Sequence, residues 1–210
     1  MRYDLYVVTD RALANGLAHA EIARRAVMGG ANVIQLRDKH LSPRELYLTA
    51  LEVRLVTREN NAAFIVNDEL DVALAAKADG VHLGQDDLPI EAARRIVPDD
   101  FIIGISVSSA VQALKAQEGG ADYVALSPVF DTASKNDAGA GRGLEALKEI
   151  RKAVTIPVIA IGGVDKKNVP SIIEAGADGV AVISAVVGQK DIEVAARELK
   201  AIITKAKGRR

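Results

Sequence analysis

Gln35, Arg37 and Lys39 alternate along one extended segment behind an apolar run, so a period of two puts their three side chains on one side. Two cations held that close repel unless an anion lies between them. An arginine fork and a lysine point charge together suit the oxygens of a phosphate or diphosphate. The competing use is a pair of surface salt bridges to Asp38 or Asp4. Asn67-Asp68 and Asp86-Asp87 also follow apolar runs. Carboxylates from two neighbouring strand ends suit Mg²⁺, which keeps several waters and shares phosphate oxygens. Helix N-capping is the alternative, because Asp68 and Asp87 each precede a helical segment.

Further along, the apolar run 156–161 ends in Gly162-Gly163, and the run 179–183 ends in Ile183-Ser184. Glycines without a Cβ let backbone N–H groups approach a ligand closely, so these two ends form a candidate phosphate cradle. The segment 127–143, SPVFDTASKNDAGAGRG, has no regular periodicity and is long for a connection. Its Thr132, Ser134 and Lys135 can donate to phosphate, and Gly139, Gly141 and Gly143 permit hinge motion. Residues 128–142 are therefore expected to form a lid over the site. The three histidines do not cluster: His19 and His40 are expected at the surface, and His82 as a hydrogen-bonded wall of the pocket, with a general base as the alternative.

A repeat supplies the elements that must position these groups. The segments GANVIQL, ADGVHL, GADYVAL and GADGVAV place Ala31, Ala78, Ala121 and Ala177 at intervals of 47, 43 and 56 residues. A strand–helix unit takes roughly 25 residues in a barrel of about 200 to 250, so each interval holds two units. The intervening strands fall at 3–8, 62–66, 101–105 and 156–161, which makes eight. Helical segments alternate with them at 19–29, 42–58, 69–77, 89–96, 109–118, 143–153 and 168–175. A last helix is capped by Asp191. Ser42-Pro43-Arg44-Glu45 reads as a capping box with proline in the first turn. Crossovers of this length demand parallel pairing, so the expected fold is a single (β/α)₈ TIM barrel over residues 1–210. An open doubly wound sheet is the structural alternative. In a barrel, groups at the C-terminal strand ends face one site, and phosphate sits at the loops after strands seven and eight.

Composition limits the function classes. Apolar residues make up 49% and the net charge is −1, which gives no footprint for nucleic acid or an anionic membrane surface. No apolar run approaches the roughly 20 residues of a membrane span. With no cysteine, disulfides, thiolate nucleophiles and Cys-based metal sites are excluded, and a cytoplasmic protein is expected. The expected partners are small molecules, with a homo-oligomer possible.

Over nearly its full length the chain resembles the thiamine-phosphate synthase family. The resemblance is carried by QLRDK (35–39), VND (66–68), GVHLGQDD (80–87), GIS (104–106), SPVFDTASK (127–135), AIGG (160–163) and AVIS (181–184). It implies an enzyme that joins a hydroxymethylpyrimidine diphosphate to a hydroxyethylthiazole phosphate, releasing diphosphate. By motif position, Gln35, Arg37, Lys39 and Asn67 would contact the pyrimidine diphosphate, and Asp68 and Asp87 would hold Mg²⁺. Ser106 and Lys135 would complete the diphosphate site. Thr132, Ser134, Gly163, Ile183 and Ser184 would bind the thiazole phosphate. Arg37, Lys39, Ser106 and Lys135 would act in catalysis by stabilising charge. The chain departs from the family pattern at Ser127 and Asp131, where Gly and Pro are more usual, and at Ser134, where Thr is common. A thiazole tautomerase on the same scaffold, or a silent phosphate-ligand binding protein, are the rival functions.

If Lys135 acts on the leaving group, Lys135→Ala lowers kcat by an amount equivalent to about 2–4 kcal/mol, the usual loss for one preorganised donor. Affinity for the pyrimidine diphosphate falls less, because Arg37 and Lys39 remain. Steady-state kinetics with a separate measurement of Kd checks it, and an unchanged kcat removes Lys135 from the reaction.

Overall fold

Short runs of β-branched and apolar residues, each followed by an amphipathic segment, bury one face inward and one outward only if the sheet closes on itself. The computed structural model of the chain, which describes residues 2–132 and 140–209, has this form. Eight parallel strands close in sequence order: β1 (Leu5–Val8), β2 (Val33–Leu36), β3 (Ala63–Asn67), β4 (Gly80–Leu83), β5 (Ile102–Val107), β6 (Tyr123–Leu126), β7 (Val158–Ile161) and β8 (Gly179–Val182). β1 closes the barrel on β8 with Leu5, Tyr6 and Val7 opposite Val180, Ala181 and Val182. The helices are α1 (His19–Met28), α2 (Pro43–Glu59), α3 (Leu70–Ala75), α4 (Ile90–Arg94), α5 (Ala110–Glu118), α6 (Gly143–Ala153), α7 (Val169–Glu174) and α8 (Ile192–Lys207). This is a single (β/α)₈ barrel, with every strand and helix where the repeat placed it to within a few residues.

Local chemistry accounts for the helix starts. Ser42 accepts the Glu45 N–H at 3.4 Å, and the Glu45 carboxylate accepts the Ser42 N–H at 2.9 Å, completing the capping box in front of Pro43. Asp191 accepts the Val194 N–H at 3.0 Å at the head of α8. That helix buries Ile192, Ala196, Leu199 and Ile203 on the barrel wall.

Two apolar regions result. Outward residues such as Leu5, Val7, Ile34 and Leu36 pack under the helices. Inward residues, including Tyr6, Val8, Val33, Ile65, Tyr123 and Ile159, fill the barrel. Gly104 on β5 makes this filling possible: a Cβ there would lie 2.0 Å from the Tyr123 ring.

The repeat has a physical role at the base of the barrel. The residue after each repeat alanine takes the N–H of the first or second residue of the preceding strand, and also a cation from a helix. Asp79 accepts from Phe64 N–H at 2.7 Å and from Arg54 of α2 at 2.8 Å. Asp122 accepts from Ile103 N–H at 2.8 Å and from Arg94 of α4 at 2.6 Å. Asp178 accepts from Val158 N–H at 2.9 Å and from Arg151 of α6 at 2.7 Å. Asn32 holds the fourth place, accepting from Leu5 N–H at 3.3 Å and from Lys200 of α8. Each clamp ties two strands and one helix at the end remote from the polar strand tops. Asp79→Ala is therefore expected to cost about 1–3 kcal/mol, since a buried strand N–H loses its acceptor. Asp79→Asn keeps an acceptor, as Asn32 does naturally, and should cost less. Urea unfolding of both variants tests this, and equal losses would assign the effect to the lost charge alone.

Candidate active site

Inward parity along the strands decides which polar groups meet at the C-terminal mouth. Gln35, Asn67, His82 and Ser106 point into the barrel from β2, β3, β4 and β5, and the loops beyond add the charged groups. One open cleft brings together Arg37, Lys39, Asn67, Asp68, His82, Asp87 and Ser106. Gln35 is not part of it. Only 3% exposed, it lies one layer deeper, beside Tyr6, on an inner cavity that His82 and Ser106 also line. The three alternating residues therefore share a direction but not a depth.

Beside the cleft lies a smaller pocket lined by Pro128, Thr132, Gly162, Gly163, Ile183 and Ser184, with Ser127 forming part of both walls. The β7 and β8 ends thus face one pocket and the β2–β5 ends another. Gly162 and Gly163 have φ of +96° and +63°, a region that favours glycine. Their lack of side chains also serves packing: a Cβ would meet Pro128 at 2.4 Å from Gly162, and the Asp131 carbonyl oxygen at 2.7 Å from Gly163. The segment after β6 lies directly on this pair, with Val129 N–H donating to the Ile161 carbonyl at 2.8 Å. Its two stems are tied where Gly141 N–H donates to the Asp131 carboxylate at 2.8 Å. Ser134, Lys135 and Gly139, and with them the middle of the expected lid, lie outside the described residues.

The electrostatics of the cleft centre on two carboxylates. Burial, followed by the charge and hydrogen bond of Asp87, pushes the Asp68 carboxyl up to about 6, against the opposing pull of Lys39 and Asn67. Neither residue caps a helix: Glu69 and Pro89 hold the positions before α3 and α4. Asp87 instead accepts the Gly84 N–H at 2.6 Å, which turns the loop after β4 inward. Asp68 sits at φ +63°, an uncommon conformation for a residue with a side chain. Two acids facing each other, with Asp68 still raised despite the pull of Lys39, fit a divalent cation. Among the described residues no group of three or more His, Asp or Glu side chains offers a full cage. The pair therefore suits an ion such as Mg²⁺ that completes its shell with water and substrate oxygens.

The salt bridges considered for Arg37 and Lys39 have competitors at their acidic ends. Asp4 pairs with Lys200 and Lys207 at the other end of the barrel. Asp38 accepts from His19 Nε2 at 3.1 Å and from the His40 N–H at 2.9 Å. His19 corrects the expectation of a surface histidine: it is 2% exposed, whereas His40 is exposed as expected. Its Nδ1 lies 2.8 Å from Thr9 Oγ1, and that oxygen also accepts the Arg37 N–H at 3.3 Å. His19 thus braces the segment carrying Arg37 and Lys39 from both sides. The only sequence signal was its position at the head of α1, where the first turn packs on the strand ends.

Fold and cleft together define a (β/α)₈ barrel whose charged and polar groups gather at its C-terminal mouth. A family model described as thiamine monophosphate synthase matches residues 5–186. The thiamine-phosphate synthase of Methanoculleus marisnigri is 59% identical over 99% of this chain and 98% of its own length. That of Methanoregula boonei is 58% identical over 99% and 96%. The solved thiamine phosphate pyrophosphorylase of Pyrococcus furiosus superposes with a TM-score of 0.90 at 46% identity, covering 97% of this chain and 96% of that one. The chain belongs to the thiamine-phosphate synthase family, whose members are transferases. Among the described residues, no helix is long and apolar enough to cross a membrane.

His19 also makes a pH prediction. Burial lowers its pKa below the ordinary 6.5, outweighing the raising effect of Asp38. The unfolded chain then binds the proton more readily than the folded one, so stability is full above pH 6.5 and is lost as the pH falls through the folded value. His19→Gln, which keeps a donor and an acceptor, should flatten the Tm profile on the acid side. A profile parallel to wild type would show that His19 is not the group protonated.

Proposed function

We infer that this chain joins 4-amino-2-methyl-5-hydroxymethylpyrimidine diphosphate to 4-methyl-5-(2-hydroxyethyl)thiazole phosphate, giving thiamine phosphate and diphosphate. The observation that carries this reading is the pair of pockets sharing the Ser127 wall, one charged and one mostly apolar. The charged cleft takes the diphosphate and the second pocket the thiazole phosphate. Arg37 and Lys39 bind the diphosphate oxygens, with Asn67 beside them, and Lys135 reaches the same group from the loop. Gln35 meets the pyrimidine from below. Thr132, Ser134, Gly163, Ile183 and Ser184 hold the thiazole phosphate. Residues 128–142 act as the lid.

The bond between the pyrimidine methylene and the diphosphate oxygen breaks with its electron pair going to diphosphate. The thiazole nitrogen lone pair then forms the new bond to that carbon. Cationic character on the methylene is tolerated because the departing charge is matched by Arg37, Lys39 and Lys135. Ser106 donates a hydrogen bond to the leaving group. Asp68 and Asp87 would hold Mg²⁺, which when bound supplies positive charge to the diphosphate. Exclusion of water by the closed loop protects the cation from hydrolysis. The same composition that lacks cysteine fits work in the cytoplasm. A tautomerase would need a base at the thiazole, and among the described residues the second pocket has no titratable side chain.

Turnover of both substrates with Mg²⁺ tests the function. Asp68→Asn separates its two sides. Removing one of two repelling acids should raise the Tm of the metal-free protein, while the Tm gain on adding Mg²⁺ and the turnover rate both fall. Full turnover by wild type in excess chelator would overturn the metal assignment.

A further inference from the structure

Five side chains from five different strands form one unbroken hydrogen-bonded line across the barrel. Gln35 Nε2 lies 2.7 Å from the Tyr6 oxygen, and the Tyr6 and Tyr123 oxygens are 3.0 Å apart. The Tyr123 oxygen lies 2.9 Å from His82 Nδ1, and His82 Nε2 lies 2.9 Å from Ser106 Oγ. Tyr6, Tyr123, Gln35 and His82 are all buried, so the line has no bulk water to correct a misdirected hydrogen. Gln35 and Ser106, its two ends, both line the inner cavity.

Each phenol carries one hydrogen for this line, and so does the imidazole in its neutral form, so for a neutral His82 one choice sets all the others. With Gln35 Nε2–H donating to Tyr6, the Tyr6 hydroxyl donates to Tyr123 and the Tyr123 hydroxyl to His82 Nδ1. His82 then carries its hydrogen on Nε2 and donates it to Ser106. The Ser106 hydrogen is left to point into the cleft. Turning the Gln35 amide over puts its carbonyl on Tyr6 and reverses every link. His82 then carries its hydrogen on Nδ1, Nε2 takes the serine hydrogen, and Ser106 offers the cleft only lone pairs. Burial above all holds both phenols well above their ordinary value, so neither state is stored as a phenolate charge.

We propose that this line is a polarity relay, in which the group facing Gln35 decides whether Ser106 donates to or accepts from the substrate. A hydrogen-bond donor on the substrate ring takes the Gln35 carbonyl, leaves Nε2 for Tyr6, and so makes Ser106 a donor to the leaving group. An acceptor at the same place draws Nε2 to itself and sets Ser106 the wrong way. Tyr6, Tyr123 and His82 are thus positioning residues that couple ring recognition to the leaving-group end. The inference rests on the reading that Gln35 and Ser106 face the substrate.

The chain has three histidines, so ring-nitrogen NMR of the ¹⁵N-histidine-labelled protein can follow His82 directly. Wild type holding the pyrimidine diphosphate should show one neutral tautomer with hydrogen on Nε2. Tyr6→Phe should mix the two tautomers and lower kcat about three- to tenfold with little change in KM, as for one lost neutral hydrogen bond. In a Ser106→Ala background, Tyr6→Phe should cause almost no further loss, whereas a merely structural tyrosine would add its full effect. Gln35→Met, which removes the other partner of the Tyr6 hydroxyl, gives the same tautomer reading if Tyr6→Phe does not fold. A single unmoved tautomer in these variants overturns the relay. A tautomer that moves while Ser106→Ala turns over like wild type overturns the assignment of Ser106, and with it the catalytic use of the relay.

Discussion

Four short side chains at the base of the barrel carry the constraint on which the rest depends. Asn32, Asp79, Asp122 and Asp178 each stand in front of an even-numbered strand. Each accepts both the N–H of the odd-numbered strand before it and a cation from a helix, α2, α4 or α6 for the aspartates and α8, beside β1 in the closed barrel, for Asn32. A strand N–H at the start of a barrel has no neighbour to satisfy it on one side, and a buried orphan there is costly. The clamps meet that need four times and fix each strand pair against its helix. Tethered at this end, the strands can finish in polar loops at the other.

The barrel interior uses that freedom unevenly. Its lower part is apolar, with Val33, Ile65 and Ile159 around the tyrosine rings. Above it the layer is polar, with Gln35, His82 and Ser106 linked through Tyr6 and Tyr123. Among the described residues no buried side-chain nitrogen or oxygen lacks a partner. Such a layer is rigid because breaking any one link strands a group away from water. Gly104 pays for the Tyr123 ring by having no side chain of its own.

The mouth gathers charges of both signs, with its two acids close together. Asp68, held in a left-handed conformation and facing Asp87, has its carboxyl pushed up to about 6 by burial and by its neighbour's charge. Asp87 is pinned by the Gly84 N–H, so the two acids cannot simply swing apart. Arg37 and Lys39 are carried on a segment braced by Thr9, His19 and Asp38. Most of the cost of holding like charges together falls on the folding of the barrel, so less remains when substrate arrives.

The sequence by itself determined the barrel, because the signals are local and repeated. Apolar runs of strand length, capping residues such as Ser42 and Asp191, and the GAD-type repeat each act within a few residues along the chain. It also named the polar groups at the strand tops, since one period-two pattern sets both the buried face and the residue that ends it. Only the tertiary structure decided which of those groups meet. Gln35 proved to lie a layer below Arg37 and Lys39, His19 to be buried, and the Gly162-Gly163 pair to be packed against Pro128 and Asp131. Asp68 and Asp87 proved to face each other instead of capping helices. The path from Gln35 to Ser106 was equally hidden, because its members are up to 117 residues apart and are joined only by barrel closure. Periodicity specifies the direction of a side chain from its own strand, but depth and partnership depend on the stagger between strands, which no single segment encodes.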